Sequence, residues 1–336
     1  MPAPEFIPSS PGGGCPEGAG EGTTVGHPTL FPSPPALYPR LTGAPPEEEG
    51  GISTTLANQM QLAIARLQQA LGLERREARL EAQILAAHAL DVDRAWLIAH
   101  DRDALSTAHY AAIEIHIARR EQGEPVAYIL GEKEFYGRVF KVTPDVLIPR
   151  PETELLIEAA LERLPRDRPA SVLDLGTGSG CIALTLALER PKCQVWAMDR
   201  SEAALAVARA NAQRLRVDGL RFLTAHWYAA LGAESFDLIV ANPPYIRADD
   251  PHLNRGDVRF EPVSSLSSGM SGLDDLSLIV GQAPRHLKPA GWLLVEHGWD
   301  QGDSCRTLFD LGGFKEIGTL RDASGNERVT LGRQPG

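Results

Sequence analysis

Cysteine is scarce in this 336-residue chain. Its four cysteines, Cys15, Cys181, Cys193 and Cys305, form no CxxC pair and no cluster at zinc-ligand spacing. That excludes a disulfide-stapled secreted scaffold and a zinc ribbon, and fits unpaired thiols in a reducing cytoplasm. No metal site is expected. A long apolar run is missing too: no stretch of about 18 apolar residues occurs, so no membrane-spanning helix is expected. The first basic residue is Arg40, so the N-terminus lacks the basic start and apolar block of a secretory signal. Positive charge is in deficit, with 33 Lys and Arg against 44 Asp and Glu for a net charge of -11. Tight, sequence-blind binding of nucleic acid needs a basic surface and is therefore disfavoured. What remains is 43% hydrophobic residues in a chain long enough for two domains.

Residues 1–51 are rich in Pro, Gly and Ser, as in "SSPGGGCPEGAGEGTT", and show neither helical nor strand periodicity. Such a composition cannot bury enough apolar surface to offset chain entropy, and it predicts a disordered extension with no chemistry of its own. From Ser53 the pattern changes. Leu56, Met60, Ile64, Leu67 and Leu71 recur at helical spacing, with Ser and Thr available as an N-cap and Gly72 as a stop. Further helices are predicted around Leu80, Ile84, Leu85 and His88, around Trp96, Leu97 and Ile98, and through "STAHYAAIEIHIARR". The last of these sets Tyr110, Ile113 and Ile117 on one side. Residues 52–123 thus read as a small helical bundle, with Arg75, Arg76, Arg79, Arg119 and Arg120 on solvated faces. Residues 124–146 read as a linking β-hairpin, two short strands within Pro125 to Val142 turned at Gly131 and Gly137.

From residue 147 to 336, strands and helices alternate. "SVLDL", "QVWAMD", "RFLTA", "FDLIVAN", "GWLLVEH", "FKEIGTL" and "ERVTLGR" give seven strand candidates, most separated by helical segments. This alternation predicts an α/β fold, a doubly wound and mostly parallel seven-stranded sheet covered on both faces. The short link "RDASGN" before the last strand predicts an antiparallel edge.

Two motifs carry chemistry. "DLGTGSG", Asp174 to Gly180, follows the first strand and opens a helix, so Gly176, Gly178 and Gly180 let the backbone turn tightly against a ligand. Asp199, ending the next strand, is placed to accept hydrogen bonds from both ribose hydroxyls of an adenosine ligand. The GxGxG spacing favours S-adenosylmethionine over a dinucleotide, which commonly takes GxGxxG. "NPPY", Asn242 to Tyr245, ends the fourth strand beside the switch point of the sheet. The Asn242 side-chain oxygen and the Pro243 carbonyl can accept the two N–H groups of a planar amino group. Tyr245 can stack on that group, and Pro244 fixes φ and stiffens the hook. Such a clamp orients the lone pair of a delocalised nitrogen toward a methyl donor.

These motifs together resemble the class I S-adenosylmethionine-dependent amino-methyltransferases. "GEPVAYILGEKEFYGRVFKV", "VLIPRPETE", "VRFEP", "LLVEHGW" and "GNERVTLGR" resemble more narrowly the bacterial release factor glutamine methyltransferases, over about residues 53–333. The resemblance implies a Rossmann-like class I methyltransferase domain behind a helical docking domain. It implies methylation of the side-chain amide nitrogen (N5) of the glutamine in the Gly-Gly-Gln loop of class 1 peptide chain release factors. By position, Gly176, Thr177, Gly178, Ser179 and Gly180 would hold the methionine part of the cofactor, Asp199 its ribose and Trp227 its adenine. Asn242, Pro243, Pro244 and Tyr245 would clamp the glutamine. Many relatives carry an acid just before the tryptophan, where this chain has His226. An adenine-N6 methyltransferase acting on nucleic acid is the alternative, since the same hook can grip an adenine amino group; net acidity counts against it. Phe135 and Tyr136, and Arg150 with Glu152, are lesser candidates for the pocket. His297 is expected to be structural, and Trp96 and Trp292 to be core.

Overall fold

The computed structural model describes residues 54–336; the expected extension over 1–51 lies outside the described residues. Four helices come first: α1 (Leu56–Leu71), α2 (Arg75–Leu90), α3 (Arg94–Ala99) and α4 (Thr107–Glu121). Thr55 caps α1 by accepting from the Asn58 N–H, and Gly72 ends it at φ 69°, in the left-handed region. Ser106 caps α4 in the same way through the His109 N–H. Leu56, Leu67, Leu85, Ile113 and Ile117 form the centre of one apolar core.

Three expectations for this region need correcting. Leu80 and Ile98 lie on exposed faces, since the buried stripes run through Ala78, Ala82 and Leu85 and through Leu97. Arg120 is not solvated: its side chain is 5% exposed and pairs with Glu81 and Asp257. It sits seven residues after Ile113, on the buried face of α4, so helical geometry carries it inward. The two strands expected within Pro125 to Val142 occupy only its second part, and the first residues form a short helix, α5 (Val126–Leu130), started by Pro125 and ended by Gly131 at φ 73°. The hairpin is confined to β1 (Glu132–Phe135) and β2 (Arg138–Lys141), turning at Tyr136 and Gly137.

A 3-10 turn, Pro151–Thr153, then leads into α6 (Glu154–Arg163). The sheet that follows is built from β3 (Ser171–Leu175), β4 (Gln194–Asp199), β5 (Arg221–Thr224), β6 (Phe236–Ala241), β7 (Leu287–Glu296), β8 (Lys315–Arg321) and β9 (Glu327–Arg333). Between them lie α7 (Cys181–Glu189), α8 (Glu202–Leu215), α9 (Asp274–Gln282) and α10 (Gly302–Leu311). The strand order is β5-β4-β3-β6-β7-β9-β8. The first five strands are parallel, and β9 pairs antiparallel with both β7 and β8. The last strand in sequence therefore lies inside the sheet, and β8 forms the edge.

Alternation along β6 shows why the sheet is covered on both sides. Leu238 and Val240 enter one core with Leu156 and Ile157 of α6 and Ile182 and Leu184 of α7. Ile239 and Ala241 enter the other, with Leu276 and Ile279 of α9 and Phe309 of α10. This is the class I methyltransferase fold, a doubly wound seven-stranded sheet preceded by a helical region and a separate hairpin.

Candidate functional site

The strand order reverses between β3 and its neighbours β4 and β6, and at such a switch point the loops leave the carboxyl ends of the strands in opposite directions. The glycine loop follows β3 and the Asn-Pro-Pro-Tyr hook follows β6, so pairing of Leu175 with Ala241 brings the two motifs side by side. Met198 at the end of β4 accepts from both the Gly176 and Thr177 N–H groups at 2.8 Å. Gly176 has φ 73°, and a Cβ there would stand 3.3 Å from the Trp227 ring. The loop thus needs glycine both for its turn and for the tryptophan that closes over it.

Two cavities open at this edge. One, of about 260 Å3, is lined by Gly176 to Ser179, Asp199, Trp227, Asn242 and Pro244, among others. The second, of about 290 Å3, is lined by Asn242, Pro243, Pro244, Tyr245, Arg150, Glu152 and Glu296, among others. Asn242 and Pro244 belong to both walls, so the hook divides the two spaces.

Asp199 accepts from the Gly178 N–H through Oδ2 and from the Ser201 N–H through Oδ1, each at 2.9 Å. Behind the loop, Asp174 is fully buried and accepts from the Thr177 hydroxyl at 2.6 Å and from the Ala183 N–H at 3.2 Å. Burial pushes its carboxyl up to about 7 against those hydrogen bonds, and Oδ1 has no partner. Gly180 borders neither of these two cavities; its positive φ serves as the N-cap of α7, where a Cβ would lie 3.1 Å from that of Ala208. Trp227 is held at φ 48°, and its indole N–H donates to Asp275 Oδ1 at 3.0 Å. An acid from the first turn of α9 therefore stands in the first cavity, where sequence neighbours offered only His226.

The hook is fixed from several sides. Asn242 Nδ2 donates to Thr153 Oγ1 at 3.1 Å. The Tyr245 carbonyl accepts from Gln301 Nε2 at 3.0 Å, and Gln301 also braces the Gly298 N–H. Burial raises the Tyr245 phenol above its ordinary value, keeping it neutral. Glu261, from the "VRFEP" segment, is buried; its carboxylate takes the Arg150 guanidinium and the Ile148 N–H. This ties "LIPRPE" to the loop after the hook. Arg150 lines both cavities and pairs with Glu261 rather than Glu152. Glu296 ends β7 beside Asn242, 1% exposed, and burial pushes it up to about 7.

The lesser candidates divide. Phe135 is core and Tyr136 packs against it; neither lines either of the two cavities. His297 is buried, bonded to the Gly298 carbonyl and Thr330 Oγ1. Trp96 and Trp292 are half-buried at the edges of their cores rather than inside them: Trp96 stacks on His100, and Arg163 covers Trp292. Sequence reasoning missed Thr153, Asp275, Glu296 and Gln301. Of these only Glu296, an acid ending the apolar run "LLVE", left a local signal. Among the described residues no helix is long and apolar enough to cross a membrane, and no cluster is placed to hold a metal ion.

The methyltransferase small domain model matches residues 152–256 and the PrmC N-terminal domain model residues 60–131. A release factor glutamine methyltransferase from Bordetella pertussis is 51% identical over 255 residues, 76% of this chain and 94% of the relative. One from Xylella fastidiosa is 48% identical over 258 residues, 77% of this chain and 94% of the relative. The crystal structure of a release factor-specific protein-(glutamine-N5) methyltransferase from Alicyclobacillus acidocaldarius is 30% identical, with a TM-score of 0.36 over 59% of this chain and 100% of that one. The chain belongs to the release factor glutamine methyltransferase family and is an S-adenosylmethionine-dependent methyltransferase.

Proposed function

We propose that this chain methylates the side-chain amide nitrogen of the glutamine in the Gly-Gly-Gln loop of class 1 release factors, with the Asn242–Tyr245 hook as the clamp. The observation that carries the reading is the shared wall: Asn242 and Pro244 border both the cavity lined by the glycine loop and the second cavity. Methyl transfer needs donor and acceptor spaces to meet at one point.

The residues lining the first cavity fit S-adenosylmethionine by their chemistry. Asp199 would accept from the ribose diol, Trp227 with Asp275 would border the adenine, and Gly176 lacks the Cβ that would stand 3.3 Å from the indole. Thr177, Gly178 and Ser179 offer backbone to the methionine part. Bound there, S-adenosylmethionine supplies an electrophilic methyl on a sulfonium.

The protein's task is to present the nitrogen. A glutamine amide is a poor nucleophile because its lone pair is delocalised into the carbonyl. Asn242 Oδ1 accepts one N–H and the Pro243 carbonyl the other, which turns the lone pair toward the first cavity. Pro243 and Pro244 are buried, so the clamp keeps its shape. Tyr245, neutral and half-buried, gives the amide a ring face. Holding reactants in line in this way supplies several kcal/mol of the barrier, within the roughly 7–11 kcal/mol that the best-oriented reactions reach. No side chain is required as base, since an amide nitrogen that has gained a methyl is strongly acidic.

In this reading residues 52–123 dock the release factor, the hairpin segment links them to residues 147–336, and the reaction takes place in the cytoplasm. The experiment is mass spectrometry of a purified class 1 release factor after incubation with this protein and S-adenosylmethionine. One added methyl on the tryptic peptide bearing Gly-Gly-Gln supports the reading. An unmodified release factor beside methylated adenine in a DNA or RNA control refutes it.

A further inference from the structure

We propose that Glu296, acting with Thr153, is the positioning residue that decides which end of the Asn242 amide faces the substrate cavity. This rests on the reading above that Asn242 Oδ1 must accept an N–H of the glutamine.

The two ends of an asparagine amide have nearly the same shape, so its partners alone fix the orientation. The clamp works in one orientation only. With Oδ1 toward the cavity, an amide N–H is accepted; with Nδ2 there, two donors meet and the substrate is repelled. On the far side of the amide, Nδ2 donates to Thr153 Oγ1 at 3.1 Å. Thr153 is 2% exposed on the wall of the first cavity, and a hydroxyl so nearly buried passes its own proton to a protein acceptor. Glu296 stands where that acceptor is needed: Ala241 pairs with Val295, so Asn242 and Glu296 end adjacent strands side by side and line the same cavity, and both Thr153 and Asn242 favour the charged form of its carboxyl. Its Oε2 is buried without a partner, which leaves acceptor capacity at this point of the network.

An ionised carboxylate accepts and never donates. It therefore forces the sequence Asn242 N–H to Thr153 O–H to Glu296, with Oδ1 left for the cavity. A protonated Glu296 can donate instead, the direction of the chain is no longer fixed, and the amide is free to turn over. The groups facing Glu296 set when this happens. Burial opposes its charge, as does Glu152 on the 3-10 turn before α6; Arg328 on β9 favours it. Tyr245 and Cys181 feel its charge in turn, and Arg150 lines the same cavity. Methyl transfer at saturating cofactor should then rise with pH through the neutral range.

The test compares Glu296→Gln, Thr153→Val and Thr153→Ser with the parent protein, using a purified release factor and S-adenosylmethionine. Glutamine keeps the shape of Glu296 but can donate; valine removes the hydroxyl and serine restores it. Expected is a fall in kcat of roughly tenfold or more for Glu296→Gln and Thr153→Val, with cofactor affinity within about twofold, as for loss of a transition-state orienting bond. Thr153→Ser should recover most of the rate, and the neutral rise in kcat should be missing from Glu296→Gln. Unchanged kcat in both Glu296→Gln and Thr153→Val, or the same pH rise in Glu296→Gln, overturns the proposal. A parent protein that leaves the release factor unmethylated would instead overturn the functional reading on which it rests.

Discussion

Arg120 of α4 and Asp257 in the segment after the hook form an ion pair at 2.8 Å, joining the helical region to the loop that borders the substrate cavity. Arg120 also takes Glu81 and the carbonyls of Gly123 and Glu124, so its guanidinium is fully engaged. Arg259, two residues on, reaches back to the Gln122 carbonyl. Removing Arg120 strands the half-buried Glu81. Arg120→Met is therefore expected to cost about 2–4 kcal/mol, near the range for breaking a buried pair. Asp257→Asn should cost under about 1 kcal/mol, because that side is largely solvated. Urea unfolding followed by circular dichroism separates the two; equal losses would mean that the pair is not anchored on the α4 side.

Asp199 offers a second prediction. Its carboxylate oxygens brace the Gly178 and Ser201 N–H groups while bordering the first cavity. Asp199→Ala should weaken S-adenosylmethionine by about 1.5–3 kcal/mol, the usual loss for charge-assisted hydrogen bonds. Calorimetric titration measures this directly. An affinity equal to that of the parent protein would remove the ribose role.

Buried Glu296 also couples stability to pH. Its carboxyl titrates at about 7 in the folded chain against an ordinary 4.5, with burial as the main cause. The folded state thus holds a proton that the unfolded state has released over that window. Stability falls as pH rises from about 4.5 to about 7, and the loss is complete above the folded value. Asp174, also raised to about 7, adds a slope of the same sign. Glu296→Gln removes only the first contribution. Chemical denaturation at several pH values should show the variant gaining on the parent protein as pH increases, and a pH-independent difference would contradict it.

Much of this architecture is written locally. The caps at Thr55, Gly72 and Ser106, the alternation in β6 and the glycine loop each need only neighbouring residues to be recognised. "PVAYIL" misled because its six residues suit a strand by composition, while Pro125 and Gly131 bracket a single helical turn. Arg120 misled because charge outweighed the helical register that placed it beside Ile117. The braces of the site were less legible for a different reason. Thr153, Asp275 and Gln301 reach their partners from 89, 48 and 56 residues away along the chain. A substituent that acts only through a tertiary hydrogen bond leaves no periodicity behind. The antiparallel insertion of β9 between β7 and β8 is likewise a pairing that a hairpin link permits without specifying.

The account turns on Asn242 as an acceptor that aims the substrate nitrogen. The most direct measurement is single-turnover methylation of a release factor by Asn242→Ala, with S-adenosylmethionine affinity determined on the same sample. Methylation should fall by at least about 100-fold, from the lost orienting bond and the misplacement that follows, while the cofactor still binds. A variant that methylates at the parental rate would show that the amide is held by something other than this hook.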